Sequence, residues 1–273
     1  MFTFNCNGRL LIIDKPIIMG IINTTPDSFF SGSRKNNVDE VLAQAEKILV
    51  EGATIIDVGG QSSRPCSQPV GVDEELKRTL PAIEAIQKNF PEAFISIDTF
   101  YAAVAKKAVE NGADIVNDIS SGNIDAAMLS TVAQLKVPYV CMHMQGTPLN
   151  MQQNPVYENI TKDVLDFFIH KIEECRMAGI NDVIVDVGFG FGKTIKHNFE
   201  LLQNLSVFKM LQKPILLGIS RKSFIYKTLN ISPEESLNGT TVLNTIGLLN
   251  GANILRVHDV KEAKQAAELV GKL

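Results

Sequence analysis

The sequence predicts one α/β domain over residues 1–273, a (β/α)8 TIM barrel preceded by an N-terminal β-hairpin. Three observations predict it. Apolar runs of strand length alternate with stretches of helical period along nearly the whole chain. Eight such strand–helix pairs follow one another with no linker or low-complexity segment between them. A glycine also recurs just past a helix and just before a strand, where a left-handed turn is needed. The junctions are Glu51-Gly52-Ala53, Asn111-Gly112-Ala113, Met177-Ala178-Gly179 and Asn250-Gly251-Ala252. A doubly wound open sheet has the same alternation, so periodicity alone leaves closure open.

In chain order, residues 2–13 alternate around Asn7-Gly8, a two-residue hairpin signal. Ile17–Asn23 is a continuous apolar run ending at a polar residue, as a buried parallel strand does. Apolar residues at Val38, Val41, Leu42, Ala45, Ile48 and Leu49 follow the helical period. Asn37 with Glu40 predicts the start of that helix. Strand Thr54–Gly60 comes next. Helix 73–89 then leads to strand Phe94–Thr99, helix 101–111 to Asp114–Ser120, and helix 125–136 to Pro138–Met144. Helix 157–178 precedes Val183–Gly188, helix 198–211 precedes Pro214–Ser220, and helical pieces over 221–250 precede Ile254–His258. A helix over 259–271 closes the chain. Asp259 with Glu262, and Ser232-Pro233 with Glu235, supply helix-start signals.

Composition narrows the class. The chain has 273 residues, is 45% apolar and carries a net charge of −4. That is enough to bury one large core, and it lacks the basic, aromatic-interleaved stretch of a nucleic-acid binder. The four cysteines, Cys6, Cys66, Cys141 and Cys175, have neither paired nor metal-like spacing. No run is long enough to span a bilayer, and Asp14-Lys15-Pro16 interrupt the first apolar stretch. The expectation is a cytoplasmic protein with neither nucleic acid nor membrane among its partners.

In a barrel of this kind the chemistry lies at the C-terminal ends of the strands. Those positions carry Asn23; Ser62, Ser63 and Arg64; Asp98; Asn117 and Asp118; Met142-His143-Met144; Asp186; Ser220-Arg221-Lys222-Ser223; and Arg256-Val257-His258. Two carboxylates and an amide (Asp98, Asp186, Asn117) suit a flat heterocycle with adjacent N–H groups. Arg64, Arg221, Lys222, Arg256 and His258 outnumber the acids and suit a phosphate or pyrophosphate. A Mg²⁺ ion needs few protein ligands when such a substrate brings its own oxygens. Loops 24–36 and 61–72 exceed the usual length and are candidate lids.

Each residue has a plainer reading. The aspartates can serve as caps or turn residues, His143 as a satisfied core histidine, and His170 and His197 as helix-surface residues. Residues 188–193, Gly-Phe-Gly-Phe-Gly-Lys, approach a phosphate-binding loop but leave one residue too few before the Gly-Lys pair. Lys193 then does no more than stabilise its loop.

At these residues the chain resembles the dihydropteroate synthase family. The matching motifs are M-G-I-I-N-T-T-P-D-S-F (19–29), D-V-G-G-Q-S-S-R-P (57–65), S-I-D-T (96–99) and V-N-D-I-S (116–120). They continue with M-H-M-Q-G-T-P (142–148), G-F-G-F-G-K (188–193), G-I-S-R-K-S (218–223) and R-V-H-D-V (256–260). They are ordered and cover essentially the whole chain. The resemblance implies a (β/α)8 barrel, usually dimeric, that joins 4-aminobenzoate to a dihydropterin methyl diphosphate and releases diphosphate in folate biosynthesis.

It further implies roles. Asp98, Asn117 and Asp186 would bond the pterin edge, with Ile119, Met142 and Phe191 lining its faces and Lys222 reaching ring heteroatoms. Gly218 and Val257 would complete the substrate-binding set. Asn23 would help hold Mg²⁺, and Arg256, His258, Ser63 and Arg64 would bind the pyrophosphate. Phe29, Ser63, Pro65 and Ser223 would surround 4-aminobenzoate, the pocket for which sulfonamides compete. Asp98, Lys222, Arg256 and His258 would carry the chemistry. The aromatic amine is itself the nucleophile, so no activated protein nucleophile is needed.

Gln61, Ser63, Cys66 and Val187 depart from the usual Glu, Thr, Gly and Pro; the first three predict an altered 4-aminobenzoate pocket and sulfonamide affinity. A pterin-binding domain of the corrinoid methyltransferase type would need neither 23–29 nor 220–223. A non-catalytic pterin-binding paralogue would not need Lys222, Arg256 and His258.

Overall fold

The computed structural model describes residues 1–24, 34–61 and 69–273, with the backbone alone for 34–37. The chain opens with the antiparallel pair β1 (Phe2–Cys6) and β2 (Arg9–Ile13), in register from Phe2↔Ile13 to Cys6↔Arg9. Asn7 and Gly8 both have positive φ (51° and 86°), the backbone that a tight hairpin turn demands.

Eight parallel strands then close into a barrel in the order β10-β3-β4-β5-β6-β7-β8-β9. They are β3 (Ile17–Asn23), β4 (Ile55–Gly59), β5 (Phe94–Asp98), β6 (Ile115–Asp118), β7 (Tyr139–Met142), β8 (Val183–Asp186), β9 (Ile215–Leu217) and β10 (Ile254–Val257). Pairing of β10 with both β9 and β3 completes the circle and excludes the open sheet. The helices are α1 (Arg34–Val50), α2 (Val72–Asn89), α3 (Ala102–Glu110), α4 (Met128–Leu135), α5 (Ile160–Ala178), α6 (Ile195–Gln203), α7 (Ser223–Leu229), α8 (Leu237–Leu249) and α9 (Val260–Val270). The four junction glycines have φ of 105°, 111°, 94° and 104°, as their placement after helices requires.

Strand alternation sorts the core into layers. Ile18, Val58, Ile97, Val116, Val185 and Leu255 face outward into the large shell between strands and helices. Met19, Ile55, Ile115, Val140, Ile184, Leu216 and Ile254 pack with Phe4, Cys6, Leu11 and Ile13 of the hairpin. The hairpin therefore plugs the end of the barrel opposite the strand C-termini. Arg9 bolts it there, donating to the carbonyls of Pro91 (2.6 Å) and Ala93 (2.8 Å) and pairing with Asp114 at 2.6 Å. A third, smaller apolar cluster of Phe100, Ile119, Met142, Met151 and Phe191 lies apart from both.

Several boundaries differ from expectation, and three of the helix starts have a physical reason. Helix α1 begins at Arg34, so Asn37 lies inside it; Arg34 and Lys35 are good helix formers and extend it by a turn. The span 198–211 is an α-helix capped by Thr194, whose hydroxyl accepts from the His197 amide at 3.1 Å, followed by a 3-10 helix at Leu205–Leu211. Asp259 precedes α9 but makes no side-chain cap, because its carboxylate is bound elsewhere.

Candidate active site at the C-terminal mouth of the barrel

The described strand-end residues converge. Asn23, Asp98, Asn117, Met142, Asp186 and Arg256 sit at or near the C-terminal ends of β3, β5, β6, β7, β8 and β10, with Gly218 just past β9. Parallel registration aligns Asp98 with Gly59 and Asn117, and Met142 with Asp186. Phe29, Ser63, Arg64, Pro65 and Cys66 lie outside the described residues.

Arg256 is the hub. Its Nε donates to Asp57 Oδ2 at 2.7 Å and its Nη2 to Asp98 Oδ2 at 2.6 Å. Asn117 Nδ2 donates to the same Asp57 oxygen at 3.2 Å. Asp57 was missed in the sequence, where it reads as one polar letter inside the run 54–60. It is fully buried, and its Oδ1 has no hydrogen-bond partner among the described residues. The signal was available: a carboxylate in the middle of a buried strand is rarely there without a charged partner.

Electrostatics follow from this packing. Burial raises the Asp98 pKa, Arg256 opposes the shift, and Asp57, Glu75 and Asp118 add to it, leaving the carboxyl above its ordinary range. Asp186 is likewise raised by burial against the pull of Lys222 and a 2.8 Å bond from the Gly188 amide. Burial lowers Lys222 to about 8, with Asp186 and Asp98 opposing and Arg256 assisting. Burial works against the Arg256 charge, yet Asp57 and Asp98 more than compensate.

Lys222 precedes α7, and Ser223 is that helix's first residue. Lys222 Nζ donates to the Phe189 carbonyl and lies 4.5 Å from the centroid of the Phe191 ring. Ile119, Met142 and Phe191 form the apolar wall already noted, so a flat ring would find acceptors at its edge and hydrocarbon at its face. The backbone amide of His258 donates to Ser220 Oγ (3.2 Å), and that hydroxyl lies 3.0 Å from His258 Nδ1.

Two expectations change. Arg221 does not belong to the anion site: its guanidinium grips both oxygens of Asp259 at 2.8 Å and caps the Glu234 carbonyl, so the anion beside this basic turn is internal. The Val257 side chain points into the outer shell rather than the mouth. Lys193 is buried and bonds to His143 Nδ1 (2.9 Å), so the glycine-rich run is no phosphate cradle. His143 is the satisfied buried histidine of the plainer reading, while His170 is exposed and His197 half-buried.

For a divalent ion, a Cβ built on Gly59 would lie 3.6 Å from Asn23 Oδ1 and 3.7 Å from Asp98 Oδ2. The bare glycine thus leaves a space flanked by two hard oxygen donors. Among the described residues no group of three His, Cys, Asp or Glu side chains could hold a metal alone. This donor set fits a Mg²⁺ ion whose other ligands are substrate oxygens and water.

Known proteins bear directly on this arrangement. Residues 19–258 match the family described as pterin binding enzyme. The chain is 43% identical to dihydropteroate synthase of Escherichia coli (strain K12), covering 96% of this chain and 93% of that relative. It is 44% identical to that of Haemophilus influenzae, covering 93% and 92%. Among solved structures, Yersinia pestis dihydropteroate synthase in a sulfonamide drug complex superposes with a TM-score of 0.93 at 41% identity, over 99% of this chain and 98% of that one. Xanthomonas albilineans dihydropteroate synthase with 4-aminobenzoic acid gives 0.92 at 36% identity, over 99% and 97%. A closed barrel with carboxylates, an amide and a guanidinium meeting at one mouth is thus matched over nearly its whole length, and the chain belongs to the pterin binding enzyme family and, within it, to the dihydropteroate synthases.

Proposed function

We propose that the mouth described above is where this synthase joins (7,8-dihydropterin-6-yl)methyl diphosphate to 4-aminobenzoate. The observation that carries the assignment is the Arg256 hub, which places a cation between Asp57 and Asp98 and beside Asn117. Asp98, Asn117 and Asp186 accept from and donate to the pterin edge. Ile119, Met142 and Phe191 cover its faces, and Lys222 donates to ring heteroatoms.

Arg256 and His258 receive the diphosphate, joined by Ser63 and Arg64. Phe29, Ser63, Pro65 and Ser223 enclose 4-aminobenzoate, where sulfonamides compete. In the reaction the bond from the methylene carbon to the diphosphate oxygen breaks, and its electron pair leaves with diphosphate. The arylamine nitrogen forms the new C–N bond, and its released proton passes to the departing diphosphate. Positive charge delocalised into the ring as the C–O bond opens is stabilised by the Asp98 carboxylate. Asn23 would hold Mg²⁺, which when bound neutralises charge on the leaving diphosphate.

The protein acts in the cytoplasm and pairs as a homodimer. Val242, Ile246 and Leu249 form an exposed apolar stripe on α8 at 49%, 38% and 55% exposure, a face that a second copy would cover. Among the described residues no helix is long and apolar enough to cross a membrane. The deciding experiment incubates the protein with the pterin diphosphate, 4-aminobenzoate and Mg²⁺ and measures diphosphate release. Release above background is expected; tight pterin binding without release would overturn the reading.

A further inference from the structure

The reaction leaves one prominent residue without a task, the buried lysine that ends the run Gly188–Lys193. We propose that Lys193 and His143 are a positioning pair for the pterin half of the site, holding Phe191 and Lys222 where they meet the ring. The inference rests on the pterin roles proposed above for those two residues.

The loops leaving β7 and β8 run in backbone contact. A Cβ on Gly188 would stand 1.9 Å from the His143 carbonyl oxygen, and one on Gly192 2.6 Å from that of Gln145. Beneath this seam Lys193 is only 3% exposed. Its Nζ has three acceptors, His143 Nδ1 at 2.9 Å, the Phe191 carbonyl at 3.0 Å and the His143 carbonyl at 3.3 Å. Burial holds the Lys193 pKa well below its ordinary value against the pull of Asp186, and the geometry ties both loops through the one nitrogen in either charge state. His143 is suited to accept: burial, then the Lys193 charge, hold its pKa well below the ordinary value and keep the ring neutral. The ring is fixed by Phe167 (centroids 4.9 Å apart) and Tyr157 (6.0 Å), and Tyr157 donates to the Gly192 carbonyl at 2.7 Å.

What this seam holds is the site. The Phe191 carbonyl is one of the three acceptors, and its ring lies against Lys222 Nζ, which also donates to Phe189 of the same loop. His143 further donates its amide to the Asp186 carbonyl at 3.0 Å. Releasing Lys193 therefore loosens the loop beneath the ring face, while among the described residues Ser223, of the 4-aminobenzoate side, makes no hydrogen bond to that loop. A purely structural lysine would lower stability and affect both substrates alike.

The test is steady-state kinetics on the full chain with each substrate varied in turn, alongside Tm. Lys193→Met removes the donors at similar length; His143→Phe removes the acceptor and keeps the ring contacts. Each is expected to raise the KM for the pterin diphosphate by about tenfold, leave the KM for 4-aminobenzoate within about twofold, and show no further loss in the double variant. His143→Gln, which restores an acceptor, should recover most of the loss, and it keeps the test open if Lys193→Met does not fold. Equal rises in both KM values, unchanged pterin KM, or additive losses would overturn the proposal. Phe191→Leu separates the two readings. If it leaves pterin KM unchanged, the site assignment fails; if it raises pterin KM while Lys193→Met and His143→Phe do not, the positioning pair fails.

Discussion

Asp98 works in the field of a guanidinium at 2.6 Å and of the carboxylates of Asp57, Glu75 and Asp118. A charge held there before the reaction begins stabilises a cation that forms later, without reorganisation. Asp98→Ala should lower turnover by about 10²-fold or more, measured as diphosphate release, and far more than Lys193→Ala. Equal losses would undermine these roles. Lys222 carries a second prediction. Its pKa near 8 belongs to the free protein, so its donor charge is present below that value and lost above it. The kcat/KM for the pterin diphosphate should therefore fall as pH rises through about 8, and Lys222→Met should lower kcat/KM and abolish that limb. An identical limb in the variant would assign it to another group.

Among elements, α2 is tied to the β4 end by a buried acid. Glu75 is inaccessible and accepts from Gln61 Nε2. Gln61 in turn accepts from the Val70 amide at 3.2 Å, and Tyr101 donates to the Val70 carbonyl at 3.1 Å. Burial raises Glu75 to about 7, with hydrogen bonds from Thr99 and Gln61 and the Arg78 charge opposing. The folded pKa is above the unfolded one, so the fold binds this proton more tightly. Its stabilisation is present at low pH and lost as pH rises through about 7. Glu75→Gln should therefore raise Tm at pH 8, by about 2–4 °C, and gain less at pH 5. A larger gain at pH 5 in thermal melts would refute the sign. The neutral Gln61 spares this contact a second carboxylate.

At the scale of the molecule, the barrel divides its labour between two ends. The hairpin and the inner apolar layer close one end, leaving the other for polar strand ends and a small apolar wall. The apolar stripe on α8 lies on the outer helical ring, so the proposed dimer would leave both ends open. Ile246→Glu places a charge in that stripe and should convert a dimer to a monomer in size-exclusion chromatography with light scattering. A dimer unaffected by this change would move the interface elsewhere.

Much was legible in the chain because it is local. Strand runs, helix periods and junction glycines depend on neighbours a few residues away, so element order and the strand-end positions of Asp98, Asn117, Asp186 and Arg256 follow from pattern. The sequence by itself determined the alternation of strands and helices and the polar groups that stand at the strand ends. Only the tertiary structure decided which of them touch. Asp57 and Arg256 are 199 residues apart in the chain yet bonded at 2.7 Å, and no local period announces such a pair. The same closure gave Arg221 an internal carboxylate, where its basic letter had pointed to a bound phosphate, and buried Lys193 against His143. A charge in a sequence attracts any anion or dipole, and only the closed barrel chooses which.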